Sequence, residues 1–161
     1  MYPTVVSLAG LPSAGSSVDG KDLSALFAAG GTVSPPLKPA AFSQFPRCPD
    51  EFTVTHHICF NTNDTAFPFM GYSIRVGLWR YTEWRRWDGS HLVADWTADG
   101  LSDQELYDHS ANHGWPADSP GSFDYEQVNL AVGTTKAAHA RTIAKLAAQL
   151  QAHYAVQDQY V

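Results

Sequence analysis

Two alternating runs joined by a very short connection constrain this chain more than any other feature. Phe69 to Val76 places Met70, Tyr72, Ile74 and Val76 on one face, and Trp79 to Arg86 places Trp79 and Tyr81 on one face and Arg80, Thr82 and Trp84 on the other. A repeat of two is the period of a β-strand, whose successive side chains point to opposite sides. Val76-Gly77-Leu78 leaves room only for a tight turn, so the pattern predicts an antiparallel hairpin. Ala40 to Phe45 and the short stretch Glu105 to Asp108 read as further strands.

Thr134 to Tyr154 reads as one long helix, capped by Thr134 or Thr135. Ala140, Ile143, Ala147, Leu150 and Tyr154 recur at steps of three and four and form an apolar stripe suited to lying on a sheet. The expected class is α+β: an antiparallel sheet of about four strands packed against a long C-terminal helix. Two short helices precede it, Tyr2 to Ala9, with Pro3 at its start and Gly10 at its stop, and Lys21 to Ala29, ended by Gly30-Gly31. Pro35, Pro36 and Pro39 mark an extended linker, which divides the chain into residues 1–39 and 40–161. Pro46 to Pro68 reads as a long loop and Ala111 to Asp124 as an exposed insertion rich in Gly, Pro, Ser and Asp.

The formal net charge of -6 argues against nucleic acid or an anionic membrane as a general partner. No apolar run approaches the roughly 20 residues that span a bilayer. The first residues carry no basic and then apolar signal-peptide pattern; Met1 opens directly into a helix, which leads to the expectation that part of the protein lies upstream. Cys48 and Cys59 do not have zinc spacing; they fit either a disulfide closing the loop between them or two unpaired, partly buried thiols. Asn63-Asp64-Thr65 fits the N-glycosylation acceptor triplet, a pattern that also arises by chance.

Four of the six arginines, Arg75, Arg80, Arg85 and Arg86, fall on the hairpin among Tyr72, Trp79, Tyr81, Trp84 and Trp87. Guanidinium forks match sulfate and carboxylate oxygens, and aromatic faces stack on sugar rings, so this pattern suits an anionic polysaccharide. Arginines on a hairpin more commonly pair with nearby carboxylates or stand in water, and the pattern suits that reading as well. Arg75 alternates with inward residues and is expected to be a buried ion-pair partner. His56 and His57 would point to opposite strand faces, and His109 and His113 lack a companion motif, so a metal site is not expected. No nucleophile elbow, P-loop, H-E-x-x-H or C-x-x-C occurs.

Several segments, in order, resemble the sulfatase family of the alkaline phosphatase superfamily. Tyr2 to Pro12 (YPTVVSLAGLP) resembles the stretch written YPTLxxLAGLP, and Gly20 to Leu26 (GKDLSAL) is similar to the G(K/R)SLxPLL that follows it. Phe42 to Arg47 (FSQFPR) resembles the YSQYPR of iduronate 2-sulfatases. Met70 to Arg75 (MGYSIR) and Trp79 to Trp84 (WRYTEW) resemble their MGYSIR…YRYTxW hairpin. Glu105 to Asp108 (ELYD) and Asn129 to Ala131 (NLA) match the pair that precedes the last helix in many sulfatases.

The resemblance implies hydrolysis of sulfate esters by a formylglycine made within a C/S-x-P-x-R motif, beside a calcium ion held by Asp and Asn. Those motifs belong to the family's N-terminal catalytic subdomain and do not occur in this sequence; Cys48-Pro49-Asp50 departs from the pattern. The resemblance therefore assigns this chain no catalytic or metal residue and no cofactor of its own, with calcium belonging to the complete enzyme. It makes residues 1–39 the tail of the catalytic subdomain plus linker, and residues 40–161 the C-terminal subdomain that walls the substrate cleft. Gln44, Arg47, Arg75, Arg80 and Trp84 are then the candidates for lining or supporting that cleft. The implied partners are the catalytic subdomain and a sulfated uronic-acid glycan, and the implied setting is lysosomal or secreted. The helices Tyr2–Ala9 and Leu23–Phe27 are expected to expose an apolar face. The alternative is a non-catalytic module that binds anionic polysaccharide through the Arg/aromatic hairpin. The 111–124 insertion is longer than the family's usual ELYD-to-NLA connection, so the geometry there does not transfer.

Overall fold

The computed structural model describes residues 1–13, 15, 18, 20–28, 38–48, 62–110 and 126–155. The 111–124 insertion, His56, His57, Cys59, His113, Pro35 and Pro36 lie outside the described residues. The chain divides into two compact units, Met1–Pro39 and Ala40–Val161.

The second unit is built on the hairpin. β2 (Phe69–Val76) and β3 (Trp79–Asp88) pair antiparallel in unbroken register from Phe69 opposite Arg86 to Val76 opposite Trp79. Gly77 occupies the first turn position with φ of 55°, a backbone region that a side chain disfavours but that suits the twist of a two-residue turn. β1 (Ala41–Arg47) lies antiparallel on the other side of β2, and β5 (Leu101–Asp108) on the other side of β3. A two-residue strand, β4 (Val93–Ala94), pairs with the end of β3.

Both faces of β2 are covered over Met70 to Ile74. On one side Tyr72, Ile74, Tyr81 and Leu106 meet Ile143, Leu146, Leu150 and Tyr154 of the C-terminal helix α4 (Ala140–Tyr154), with Ala131 closing the cluster. The result is α+β, an antiparallel sheet under a C-terminal helix. Aromatic rings extend this core: Tyr72 lies 4.9 Å from Trp96 and 4.6 Å from Tyr154, and Phe42 stacks on His153 at 3.7 Å.

Several elements differ from the sequence reading. β1 runs through Pro46 to Arg47, two residues past the expected end, because an edge strand tolerates a proline that donates no hydrogen bond. A 3₁₀ turn, Asp64–Ala66, interrupts the expected long loop. β5 starts at Leu101 rather than Glu105 and absorbs one extra residue where its register with β3 shifts between Trp84 and Arg85. The long helix is two: α3 (Thr135–Ala138) precedes α4, and His139 breaks the line with φ of -105° and ψ of 6°. There the His139 Nδ1–H donates to the Thr135 carbonyl, 3.0 Å away. Neither threonine caps with its side chain; Thr135 Oγ1 instead donates back to the Val132 carbonyl. Leu146 belongs to the buried stripe and Ala140 is exposed.

β5 is secured along its outer edge by one side chain. Asn129 Oδ1 accepts from the Leu106 and Ala131 amides, its Nδ2 donates to the Gln104 carbonyl, and the Leu130 amide donates to the Leu106 carbonyl. An edge that would otherwise present unpaired backbone groups is thereby satisfied.

In the first unit, α1 (Tyr2–Leu8) ends in a Schellman arrangement. Gly10 has φ of 66°, its amide reaches the Ser7 carbonyl, and the Leu11 amide reaches that of Val6. α2 (Ser24–Ala28) begins three residues later than expected, after Asp22 Oδ1 has accepted the Ser24 amide. The Thr4 hydroxyl accepts from the Leu23 amide and joins the two helices. Val6 and Thr4 are buried, whereas Tyr2, Val5, Leu8 and Phe27 are exposed.

Candidate functional site

Strand alternation and register sort the candidate residues onto two faces. Arg47, Arg75, Arg80 and Trp84 share the face turned away from α4, together with Phe69, Gly71, Ser73 and Thr82. Across from Trp84, Thr82 and Arg80 on β5 stand Asp103, Glu105 and Tyr107. Gln44 is the register partner of Tyr72, so it belongs to the opposite face and is exposed there. The sheet therefore brings four of the five candidates together and separates the fifth.

Trp84 is the centre of this face. Its ring lies over Gly71, where a Cβ would come within 2.7 Å of Cζ3. Its Nε1–H donates to Glu105 Oε1 at 2.7 Å. The Arg47 guanidinium stands 4.4 Å from the ring centroid and 3.6 Å from Asp103 Oδ2, a cation–π arrangement with a carboxylate at its rim. Tyr107 donates to the other Glu105 oxygen, and burial first, then the Glu105 charge, pushes its phenol above the ordinary range.

A second cluster ties the hairpin to the chain beyond the 111–125 segment. Glu126 takes Arg80 Nη1 on one oxygen and His109 Nε2, at 3.1 Å, on the other. Burial works to raise the Glu126 carboxyl, but the Arg80 hydrogen bond and charge, followed by those of His109, outweigh it and hold the group below the usual carboxylate range. Arg80 Nε also donates to Ser73 Oγ.

A third cluster lies inside the core. Tyr81, Glu83 and Arg85 project to the α4 side of β3. Tyr81 donates to Glu83 Oε1 at 2.6 Å and accepts from Gln104 Nε2 at 2.7 Å. Arg85 binds the other Glu83 oxygen and sends Nη1 to the Thr97 carbonyl at 2.8 Å. Burial, reinforced by the Glu83 hydrogen bond and charge, drives the Tyr81 phenol far above its usual value.

Of the two alternatives for the arginines, pairing with carboxylates holds for three. Arg47, Arg80 and Arg85 each face a carboxylate. Arg86 is exposed, with Asp95 within electrostatic reach. Arg75 is half-exposed and donates to the Gly77 carbonyl at 3.1 Å, so it is not the buried ion-pair partner; Arg85 is. The sequence reading stopped its inward face at Trp79 and Tyr81. Continuing the same period by two and four residues would have placed Glu83 and Arg85 inside. Asp103 and Glu105 were likewise legible as same-face residues, once β5 was started early enough.

Cys48, next to Arg47, is bonded in a disulfide. Asn63 is exposed at the start of the 3₁₀ turn. Among the described residues no three His, Cys, Asp or Glu side chains converge to hold a metal ion, and no helix is long and apolar enough to cross a membrane. No protein-family model and no curated protein matches the sequence.

Proposed function

We propose that this chain is the C-terminal portion of a sulfatase of the iduronate 2-sulfatase kind, supporting a cleft for sulfated uronic-acid glycans. The nucleophile and the calcium site belong, in this reading, to a catalytic subdomain with which the chain works in a lysosome or outside the cell. One observation carries the proposal: within the second unit, the segments that bear the resemblance are neighbours in space. FSQFPR lies antiparallel on MGYSIR, with Phe42 opposite Ile74 and Arg47 opposite Phe69. MGYSIR pairs with WRYTEW across the turn, and ELYD pairs with the same strand while Asn129 of NLA clips it from outside. Chance matches scattered along a chain have no reason to knit into one sheet. Arg47, Arg75, Arg80 and Trp84 then form the supporting face, and Gln44 acts from the other side.

The test is an assay of the chain with a chromogenic sulfate ester, with and without calcium, together with the coding sequence upstream of Met1. Background turnover and an in-frame C/S-x-P-x-R segment are expected. Robust turnover by the chain alone, or stop codons in place of that segment, overturns the proposal.

The shared face of Arg47, Arg75, Arg80 and Trp84 supports a second reading, a binding module for anionic polysaccharide. Arg85 is unsuitable as its probe because it holds the core together. Salt-dependent retention on heparin is expected to fall in an Arg47→Ala/Arg75→Ala/Arg86→Ala variant; unchanged retention counts against this reading.

A further inference from the structure

We infer that Asn63 is a site of N-linked glycosylation, its amide nitrogen taking an oligosaccharide from a lipid-linked pyrophosphate donor. The inference stands apart from the sulfatase reading, since it rests on the turn at 63–66 and on the oxidation state of Cys48.

Asn63, Asp64 and Thr65 supply the acceptor triplet, and the fold holds it in a form that tolerates the product. Asn63 Oδ1 accepts both the Thr65 amide, at 3.1 Å, and the Thr65 hydroxyl, at 3.0 Å. Two donors on one atom fix the orientation of the side-chain amide, because a nitrogen in that place would turn its own hydrogens on them. Nδ2 is thereby directed away and has no hydrogen bond to a described residue. Replacing one of its hydrogens by a sugar removes no internal contact and leaves the oxygen to hold the turn. Asn63, Thr65 and Ala66 are all exposed, so a bulky substituent meets solvent.

The turn is also anchored. The Ala66 amide closes it on the Asn63 carbonyl at 2.8 Å, and Gly89 packs so closely on the Thr65 backbone that a Cβ there would overlap it. The acceptor is thus presented from a fixed point on the folded body, at the end of the sheet away from the Gly77 turn.

The compartment agrees. Disulfides persist where the surroundings are oxidising, and Cys48 carries one. The same secretory compartment holds the transferase. In the transfer, Nδ2 forms a bond to the anomeric carbon and the bond from that carbon to the pyrophosphate oxygen breaks. The lipid pyrophosphate leaves with the electron pair, and the displaced amide proton passes to a base of the transferase. Nothing is oxidised or reduced.

The experiment routes the chain through the secretory pathway of a eukaryotic cell. The expected result is a heavier species that a peptide amidase returns to the mass of the bare chain, leaving an aspartate mass at position 63 in the digested peptide. Asn63→Gln and Thr65→Ala should each abolish the heavier species, while Thr65→Ser should keep it. If Asn63→Gln is not exported, the two Thr65 variants decide, since they differ only in whether a hydroxyl remains. Recovery of unmodified chain with the Cys48 disulfide intact overturns the inference, because that chain reached the oxidising compartment and was passed over. Amidase-sensitive mass that survives Asn63→Gln overturns it equally.

Discussion

Arg85 and Glu83 form an ion pair within the core, with Nη2 2.6 Å and Nε 2.8 Å from Oε2 and the carboxylate only 1 % exposed. Tyr81 donates to the other carboxylate oxygen, and the Thr97 carbonyl accepts from Nη1 of the guanidinium. Such a pair costs little while intact, but it leaves an uncompensated charge when one side is removed.

Arg85→Met should therefore destabilise the second unit by about 3–5 kcal/mol. The double variant Glu83→Leu/Arg85→Met should recover most of that loss, because apolar groups of similar volume need no partner. Urea unfolding of the two variants measures the difference; equal losses would place the energy in packing rather than charge.

Gly71→Ala should cost about 1–3 kcal/mol by overpacking. The new methyl meets the Trp84 ring at 2.7 Å, and that ring is held by Glu105 on one edge and by Arg47 above. Tryptophan fluorescence should shift as the indole is displaced, and Trp84→Ala in the same chain should remove the penalty.

Asn129→Ala should cost about 1–3 kcal/mol, as three backbone groups lose their partner. Amide exchange should rise first at Leu106 and Ala131, the two donors that Asn129 accepts, while the β2–β3 amides stay protected.

Acid should weaken the fold in two steps. His153, held below the ordinary 6.5 by burial, favours the folded state while neutral, so its contribution declines as pH falls from that value. Glu126, held below the ordinary 4.5 by Arg80 and His109, contributes while ionised and declines below that value. Denaturant midpoints taken down the pH scale should show His153→Phe flattening the first decline and Glu126→Gln the second.

The sequence carried the hairpin almost residue for residue, because a period of two over eight positions with Gly77 at the turn has one reading. It carried the C-terminal helix less well. The stripe through Ile143, Leu150 and Tyr154 was visible, but the break at His139 depends on an imidazole reaching the Thr135 carbonyl, which leaves no mark in periodicity. β5 was half visible: Leu106 alone is fully buried, and Leu101 to Gln104 is polar enough to pass for loop. At the site, the sequence left the charge balance open rather than the position. Arginines announce themselves in a list of residues, whereas Glu126 and Asp103, distant in sequence from Arg80 and Arg47, become partners only once strand order is known.

Glu126 has a consequence for how the chain can vary. It grips Arg80 and His109 together, so positions 109 and 126 stand within one side-chain contact of each other. Doubling the span between those two points raises the closure cost by only about 0.6 kcal/mol. Grafted peptides or tags should be accepted there with the sheet and α4 undisturbed, making this the natural place to attach a reporter.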